Sequence, residues 1–267
     1  LIVALVASIF SGIVISQQFL KTVEQFTNNV QKIKNEGFSH RLPIEGNDEL
    51  AKLGREFNET ISQAENALIQ QNQFVSDASH ELKTPLAIIK GNLEMLQRWG
   101  KNDPVVLDDA LDVAHSEVER LAQLCNELLH LTREMKIQCD KPADIEAIVA
   151  ELINNFKEVH PEFDFRFDLH DDQQIWMRPE HLKQLLIILI DNAIKYSRDD
   201  SKRICISYHD RYLKVKDYGI GIEKDKIEHI FNRFYRVDES RAQNNNNFGL
   251  GLAIAKRICN VYHYPIK

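Results

Sequence analysis

The stretch FVSDASHELKTPL, positions 74–86, holds side chains whose types and spacing suit group transfer. On a helix His80 and Thr84 share a face because they are four residues apart, with Ser76 one turn before. Glu81 lies about 100° around the helix, within reach of the His80 imidazole or of a water beside it. A carboxylate in that place fixes the imidazole tautomer and stabilises positive charge as the other ring nitrogen attacks an electrophile. Pro85 has no N–H to give the carbonyl of Glu81, and its ring crowds that carbonyl, so a bend is expected at the histidine. Alone, a helical histidine is usually a surface residue and a proline usually a boundary. The order His-Glu-x-x-Thr-Pro, on the first helix of a hairpin and ahead of a nucleotide-type domain, gives the stretch its chemical meaning.

Three later segments can hold the electrophile. In HLKQLLIILIDNAIKYS (181–197), Leu182, Leu185, Leu186, Leu189, Ile190 and Ala193 line a core face. Positions 188, 192 and 195 form a second row, where Asn192 can ligate a divalent cation and Lys195 can meet phosphate oxygens. In RYLKVKDYGIGI (211–222), strand alternation puts Leu213, Val215 and Asp217 on one side and sends the carboxylate inward, where it needs a donor such as an adenine amino group. Gly219 and Gly221 then let the backbone turn close to a base. In NNNNFGLGLAIAKRI (244–258), Gly249 and Gly251 precede a helix whose first N–H groups can hold phosphates. Each is weak by itself: Asn and Lys on a helix read as a solvated face, and Asp and Gly are ordinary turn residues.

The elements that must position these groups follow from composition and periodicity. The chain has 267 residues, 43% hydrophobic and 27% charged, enough for one to three small cores. A net charge of -7 repels nucleic-acid phosphates, so no nucleic-acid partner is expected. Cys125, Cys139, Cys205 and Cys259 are too far apart for a C-x-x-C pair and read as packing residues of a reducing compartment. The opening LIVALVASIFSGIVISQQFL carries no charge before Lys21. Its most apolar part, 1–16, spans roughly 24 Å at ~1.5 Å per residue and reads as the second half of a transmembrane helix; a buried soluble helix is the alternative.

An amphipathic helix follows, then a connector punctuated by Gly37, Pro43 and Gly46. Leu50, Leu53, Phe57, Ile61, Ala64 and Leu68 then recur at steps of three and four, the seam of a helix packed against parallel partners. Helical signal continues to about residue 98, stops at RWGKNDPVV, and restarts with Leu107, Leu111, Ala114, Val118, Leu121, Leu128 and Leu131. Two long antiparallel helices, each with one apolar stripe, are most economically buried as a dimeric four-helix bundle. After residue 137 helices and short strands interleave, which predicts a separate α/β sandwich.

On these residues the chain resembles known signalling proteins. RLPIEGNDELAKLGREFN (41–58), with Asp48, Glu49 and Leu50 opening the second helix, resembles a HAMP domain, although the usual proline is absent near Thr22. FVSDASHELKTPL resembles the H-box of sensor histidine kinases, which implies His80 as phosphoacceptor, Glu81 as its acid–base partner, and Thr84 as the residue that positions water when phosphate is removed from a partner. The three later segments, in order, resemble the N, G1 and G2 boxes of the ATP-binding domain of that family. The resemblance assigns nucleotide contacts to Asn192, Lys195, Tyr196, Asp217, Gly219, Gly221, Gly249, Leu250 and Gly251, with ATP and Mg²⁺ bound and Asn192 as metal ligand. FNRFYRVD (231–238) resembles the F-box, whose Arg233 and Arg236 would reach the γ-phosphate, and 237–248 the mobile lid.

Three departures stand out: Ile188 replaces a polar residue one turn before Asn192, Asn246 and Asn247 replace glycines, and the sequence stops at YHYPIK before the usual closing strands, predicting an incomplete sheet. The expected fold is multidomain: part of a transmembrane helix (1–17), an all-α HAMP domain (18–69), a dimeric antiparallel helical hairpin for phosphotransfer (70–136) and an α/β sandwich ATP-binding domain (137–267). The resemblance implies a homodimer in the bacterial inner (cytoplasmic) membrane, cytoplasmic after about residue 17, that phosphorylates His80 and passes the phosphoryl group to an aspartate on the receiver domain of a response regulator, with phosphatase activity in addition. The alternatives are a nucleotide-binding relay or phosphatase-dominant protein, and an ATPase of the chaperone or mismatch-repair type, which would leave the H-box without a purpose.

Overall fold

The computed structural model describes residues 2–38, 40–44, 46–100, 103–135, 137–139, 141–169, 174–210, 212–237 and 247–267. Two units divide the chain, Leu1–Ala78 and Ser79–Lys267, and helix α2 runs from one into the other.

The first unit begins with α1 (Ile2–Glu36), one helix where the sequence suggests a membrane segment and an amphipathic continuation. Its Ile2–Ile33 portion is long and apolar enough to cross a membrane. The chain leaves α1 at Gly37 (φ 89), a left-handed turn that a side chain resists. In the connector Leu42 is buried, and the amide of Asn58 brackets it, taking the Leu42 N–H (2.8 Å) and donating to the Leu42 carbonyl (3.0 Å). Phe26 and Phe57 pack with ring centroids 4.8 Å apart, and Arg41 pairs with Glu65. Asp48 opens α2 (Glu49–Trp99) by accepting the Ala51 N–H at 2.8 Å, the N-cap expected of that position.

Helix α2 continues through Pro85 without a break, and the ring of Pro85 is buried. Asp103 caps α3 (Pro104–Thr132), accepting from the N–H groups of Val105 and Val106, with Pro104 in the first turn. The apolar stripe of α3 is only partly covered: Ala114 and Leu131 are buried, whereas Leu107, Leu111 and Val118 are exposed.

The C-terminal half follows the expected order. Helix α4 (Ile145–Val159), capped by Asp144, leads to β1 (Asp164–Leu169), α5 (Pro179–Lys195), β2 (Arg203–His209), β3 (Tyr212–Lys216) and α6 (Gly251–Val261). Strand β1 lies parallel to β2 (Phe165 opposite Ile204), as a crossover through α5 requires; β2 turns at Asp210 (φ 50) into antiparallel β3. Helix α5 packs on β2, β3, α4 and α6. Its buried Leu182, Leu186 and Ile190 meet a core shared with Val149, Ile204, Ile206, Ile254 and Ile258, all of them essentially inaccessible to solvent. The three strands leave β3 at an edge among the described residues. QIWM, expected as a strand, contributes one isolated bridge, Ile175 to Ala143. Cys259 is a packing residue as expected, but Cys125 is exposed on α3.

Candidate active site

His80 stands exposed on α2. The Thr84 hydroxyl points back along the helix toward the His80 carbonyl at 3.5 Å, as helical threonines often do. Glu81 has a partner other than the expected imidazole: its Oε2 lies 3.4 Å from Nη2 of Arg236, in an ion pair whose side chains are 30% and 18% exposed. The arginine expected at a phosphate therefore reaches the residue next to His80. Arg233 is exposed, and its charge, after burial, helps lower the pKa of Arg257. Arg257 donates through Nη2 to the Arg133 carbonyl (2.6 Å) and through Nη1 to that of His130. One belongs to the last turn of α3 and the other to its C-cap residue, neither of which the helix can satisfy itself, so a cation of α6 completes the end of the hairpin. Near the middle of α3, the Arg120 guanidinium lies 5.4 Å from the centre of the buried Phe248 ring. Glu127, also on α3, has its carboxyl pushed up by burial, against a hydrogen bond from Gln123 and the charge of Lys195.

The two glycine-bearing segments converge on the C-terminal end of α5. Asn192, Lys195 and Ile188 are half-buried there. Lys195 donates to Asp191 at 2.6 Å, an i,i+4 pair on α5. Tyr196 caps α5, and its carbonyl accepts the Ile220 N–H at 3.1 Å. Gly219 presses on that carbonyl so closely that a Cβ would come within 2.2 Å of it. Gly221 (φ 74) and Gly249 (φ 71) take left-handed backbone, and a Cβ on Gly249 would meet the Tyr235 carbonyl at 2.7 Å. Leu250 is fully buried and anchors the turn into α6. At Gly251 a Cβ would stand 3.3 Å from Ile188 and 4.0 Å from the Asn192 amide, so both residues of the α5 row face the start of α6.

One expectation is corrected. Asp217 does not follow Leu213 and Val215 inward; it is exposed, one residue beyond the edge strand β3, and accepts the Gly219 N–H at 2.8 Å. Past the last rung of the ladder the alternation of the strand no longer governs the side chain. Most of the 237–248 segment, including Asn246, lies outside the described residues. The contacts of Asn247, Asp191 and Arg257 were not anticipated. Only the i,i+4 spacing of Asp191 and Lys195 was visible beforehand.

The cradle fits a nucleotide: two backbone segments approach where side chains are excluded, and α6 opens without a side-chain cap. Among the described residues no three His, Cys, Asp or Glu side chains converge on a metal site.

Residues 14–66 match the HAMP domain, residues 70–135 the His Kinase A (phospho-acceptor) domain, and residues 177–266 the histidine kinase-, DNA gyrase B- and HSP90-like ATPase family. In this order the three matches are the domains of a two-component sensor histidine kinase. It is 38% identical over 274 aligned positions to the signal transduction histidine-protein kinase ArlS of Staphylococcus aureus, covering all of this chain and 61% of ArlS. The chain thus spans about three-fifths of that relative's length. Its fold is similar to that of the histidine kinase ThkA, solved in complex with the response regulator TrrA (TM-score 0.58, 22% identity, 77% of this chain and 59% of that one). The ATPase match implies that ATP is bound.

Proposed function

We propose that this kinase autophosphorylates on His80 from ATP and passes the phosphoryl group to an aspartate on a response-regulator receiver domain, with phosphatase activity on the same regulator. The observation that carries the reading is the Arg236–Glu81 pair, in which the F-box segment of the ATP-binding half touches the residue beside the phosphoacceptor. ATP with Mg²⁺ supplies the phosphoryl group and neutralises its charge. The protein's part is positioning and electrostatics. Gly219 and Gly221 admit the base, Gly249, Leu250 and Gly251 set the start of α6 against the phosphates, and Asn192 and Lys195 add a metal ligand and a cation. Arg233 and Arg236 bring positive charge to the transferred group. His80 attacks the γ-phosphorus through one ring nitrogen as the bond to the β-phosphate oxygen breaks and ADP leaves, while Glu81, released from Arg236, takes up the proton of the other nitrogen; Thr84 orients water for the hydrolysis of the regulator's phosphoaspartate.

The proposed organisation is a membrane segment to about residue 17, a HAMP domain to 69, a phosphotransfer hairpin to 136 and an ATP-binding domain beyond. The exposed apolar stripe of α3 is assigned to the second copy in a homodimer, and the apolar part of α1 to the bacterial cytoplasmic membrane, with the rest in the cytoplasm. A second reading, a nucleotide-binding relay with weak kinase activity, is favoured by Ile188, which fills the place of a polar residue beside Gly251.

The test is incubation of the chain in lipid nanodiscs with γ-labelled ATP and Mg²⁺. Acid-labile, base-stable label that disappears in His80→Ala is expected. Nucleotide binding with no label in the wild-type chain would select the relay.

A further inference from the structure

We infer that Tyr196 and Asn247 act together as positioning residues, a clasp that holds the two glycine-rich segments in register for the nucleotide. The inference rests on the nucleotide-binding reading above and extends it to a position where this chain departs from its family. Three polar groups of Tyr196 reach three segments. Its N–H bonds the Asn192 carbonyl in α5 (3.1 Å), and its carbonyl takes the Ile220 N–H (3.1 Å). Its hydroxyl accepts from Nδ2 of Asn247 (3.1 Å), 51 residues along the chain. The Asn247 Oδ1 meanwhile accepts the Gly249 N–H at 3.1 Å, closing an Asx turn ahead of α6. A glycine, usual in the family at this place, makes neither contact. The asparagine amide makes both, because it carries a donor and an acceptor on one planar group.

The geometry explains why the register matters. Gly219 is laid on the Tyr196 carbonyl at a distance that excludes any side chain, so the position of Tyr196 sets that of the first glycine segment. Gly249 is held in left-handed backbone between Asn247 and the Phe234 N–H, which donates to its carbonyl at 3.0 Å. Asn247 spends its acceptor on Gly249 and none on α6, whose first turn has no side-chain cap. The clasp therefore fixes the turn and leaves the first N–H groups of the helix to an anion.

The experiment is a double-mutant cycle on the full chain in nanodiscs, read as the Kd of a fluorescent ATP analogue with the melting temperature of the nucleotide-free protein alongside. Tyr196→Phe and Asn247→Ala are each expected to weaken binding about five- to tenfold, the scale of one lost hydrogen bond, and the double variant to lose no more than about twofold beyond either. Asn247→Ser, which keeps an acceptor for Gly249 but cannot span to Tyr196, should match Tyr196→Phe. The nucleotide-free melting temperature should stay at the wild-type value in all four. Multiplying losses, no loss, or a drop in that melting temperature with unchanged affinity would overturn the clasp while leaving the nucleotide site standing. A wild-type chain that binds no analogue would contradict the proposed function itself.

Discussion

Leu186 on α5 and Leu111 on α3 are the same residue in opposite situations: the first is wholly buried, the second 49% exposed. The contrast extends to their surroundings. The ATP-binding half encloses Leu182, Ile190, Ile204, Ile254 and Ile258 completely, whereas α3 presents Leu107, Val118 and Leu129 to solvent, and the upper part of α2 presents Leu53, Leu68 and Ile69. One region completes its core within a single chain. The other leaves apolar surface open in a single chain, the surface that the proposed homodimer would cover. A signalling protein has a use for both: a rigid holder for the nucleotide, and helices whose packing depends on what lies beside them.

The largest expected effect separates the two regions directly. Leu186→Ala should cost the ATP-binding half about 4 kcal/mol in urea unfolding followed by Trp176 fluorescence in a Trp99→Phe background. Leu111→Ala should leave that transition in place and weaken self-association instead, as seen by sedimentation. Next comes Gly219→Ala, where a methyl group would press on the Tyr196 carbonyl; we expect a loss of about 3 kcal/mol in the same assay and no measurable nucleotide binding. Glu81→Gln should cost less than about 1 kcal/mol of stability, since the pair with Arg236 is partly exposed, yet slow His80 labelling much more than it changes stability.

The smallest effect is one of pH and sits where α5 meets α6. His181 lies 2.7 Å from the Tyr262 hydroxyl, and its pKa is lowered from 6.5, chiefly by burial, with Arg178 and His130 adding to the shift and Glu180 opposing it. The unfolded chain therefore takes up a proton that the folded chain resists. Stability of the ATP-binding half should rise with pH from the lowered value to about 6.5 and level off above it, and be lost as the medium is acidified through that window. His181→Asn should flatten the dependence in melts between pH 5 and 7.

Much of this was legible from local pattern. The 3.6-residue period of α5 and the opening of α2 at Asp48 depend on near neighbours, and both elements fall where the sequence puts them, whereas QIWM yields one bridge and no strand. Gly219 and Gly221 were legible as positions needing bare backbone. What could not be read were contacts between residues far apart in sequence. The partner of Glu81 lies 155 positions away, and the carbonyls held by Arg257 more than 120. No periodicity encodes such distances. Asp217 was misplaced because alternation was extended one residue past the strand. Cys125 was taken for a packing residue although it falls on the face of α3 left open in one chain.

The most direct test of the division of labour compares two variants of the full chain in nucleotide binding and in labelling from γ-labelled ATP. His80→Ala should bind nucleotide with wild-type affinity and take no label. Asp217→Asn, altered at an exposed side chain that leaves the core intact, should keep its fold and lose both binding and label. Label retained in His80→Ala would contradict the account at its centre, because the ATP-binding half would then be serving an acceptor other than the histidine of the hairpin.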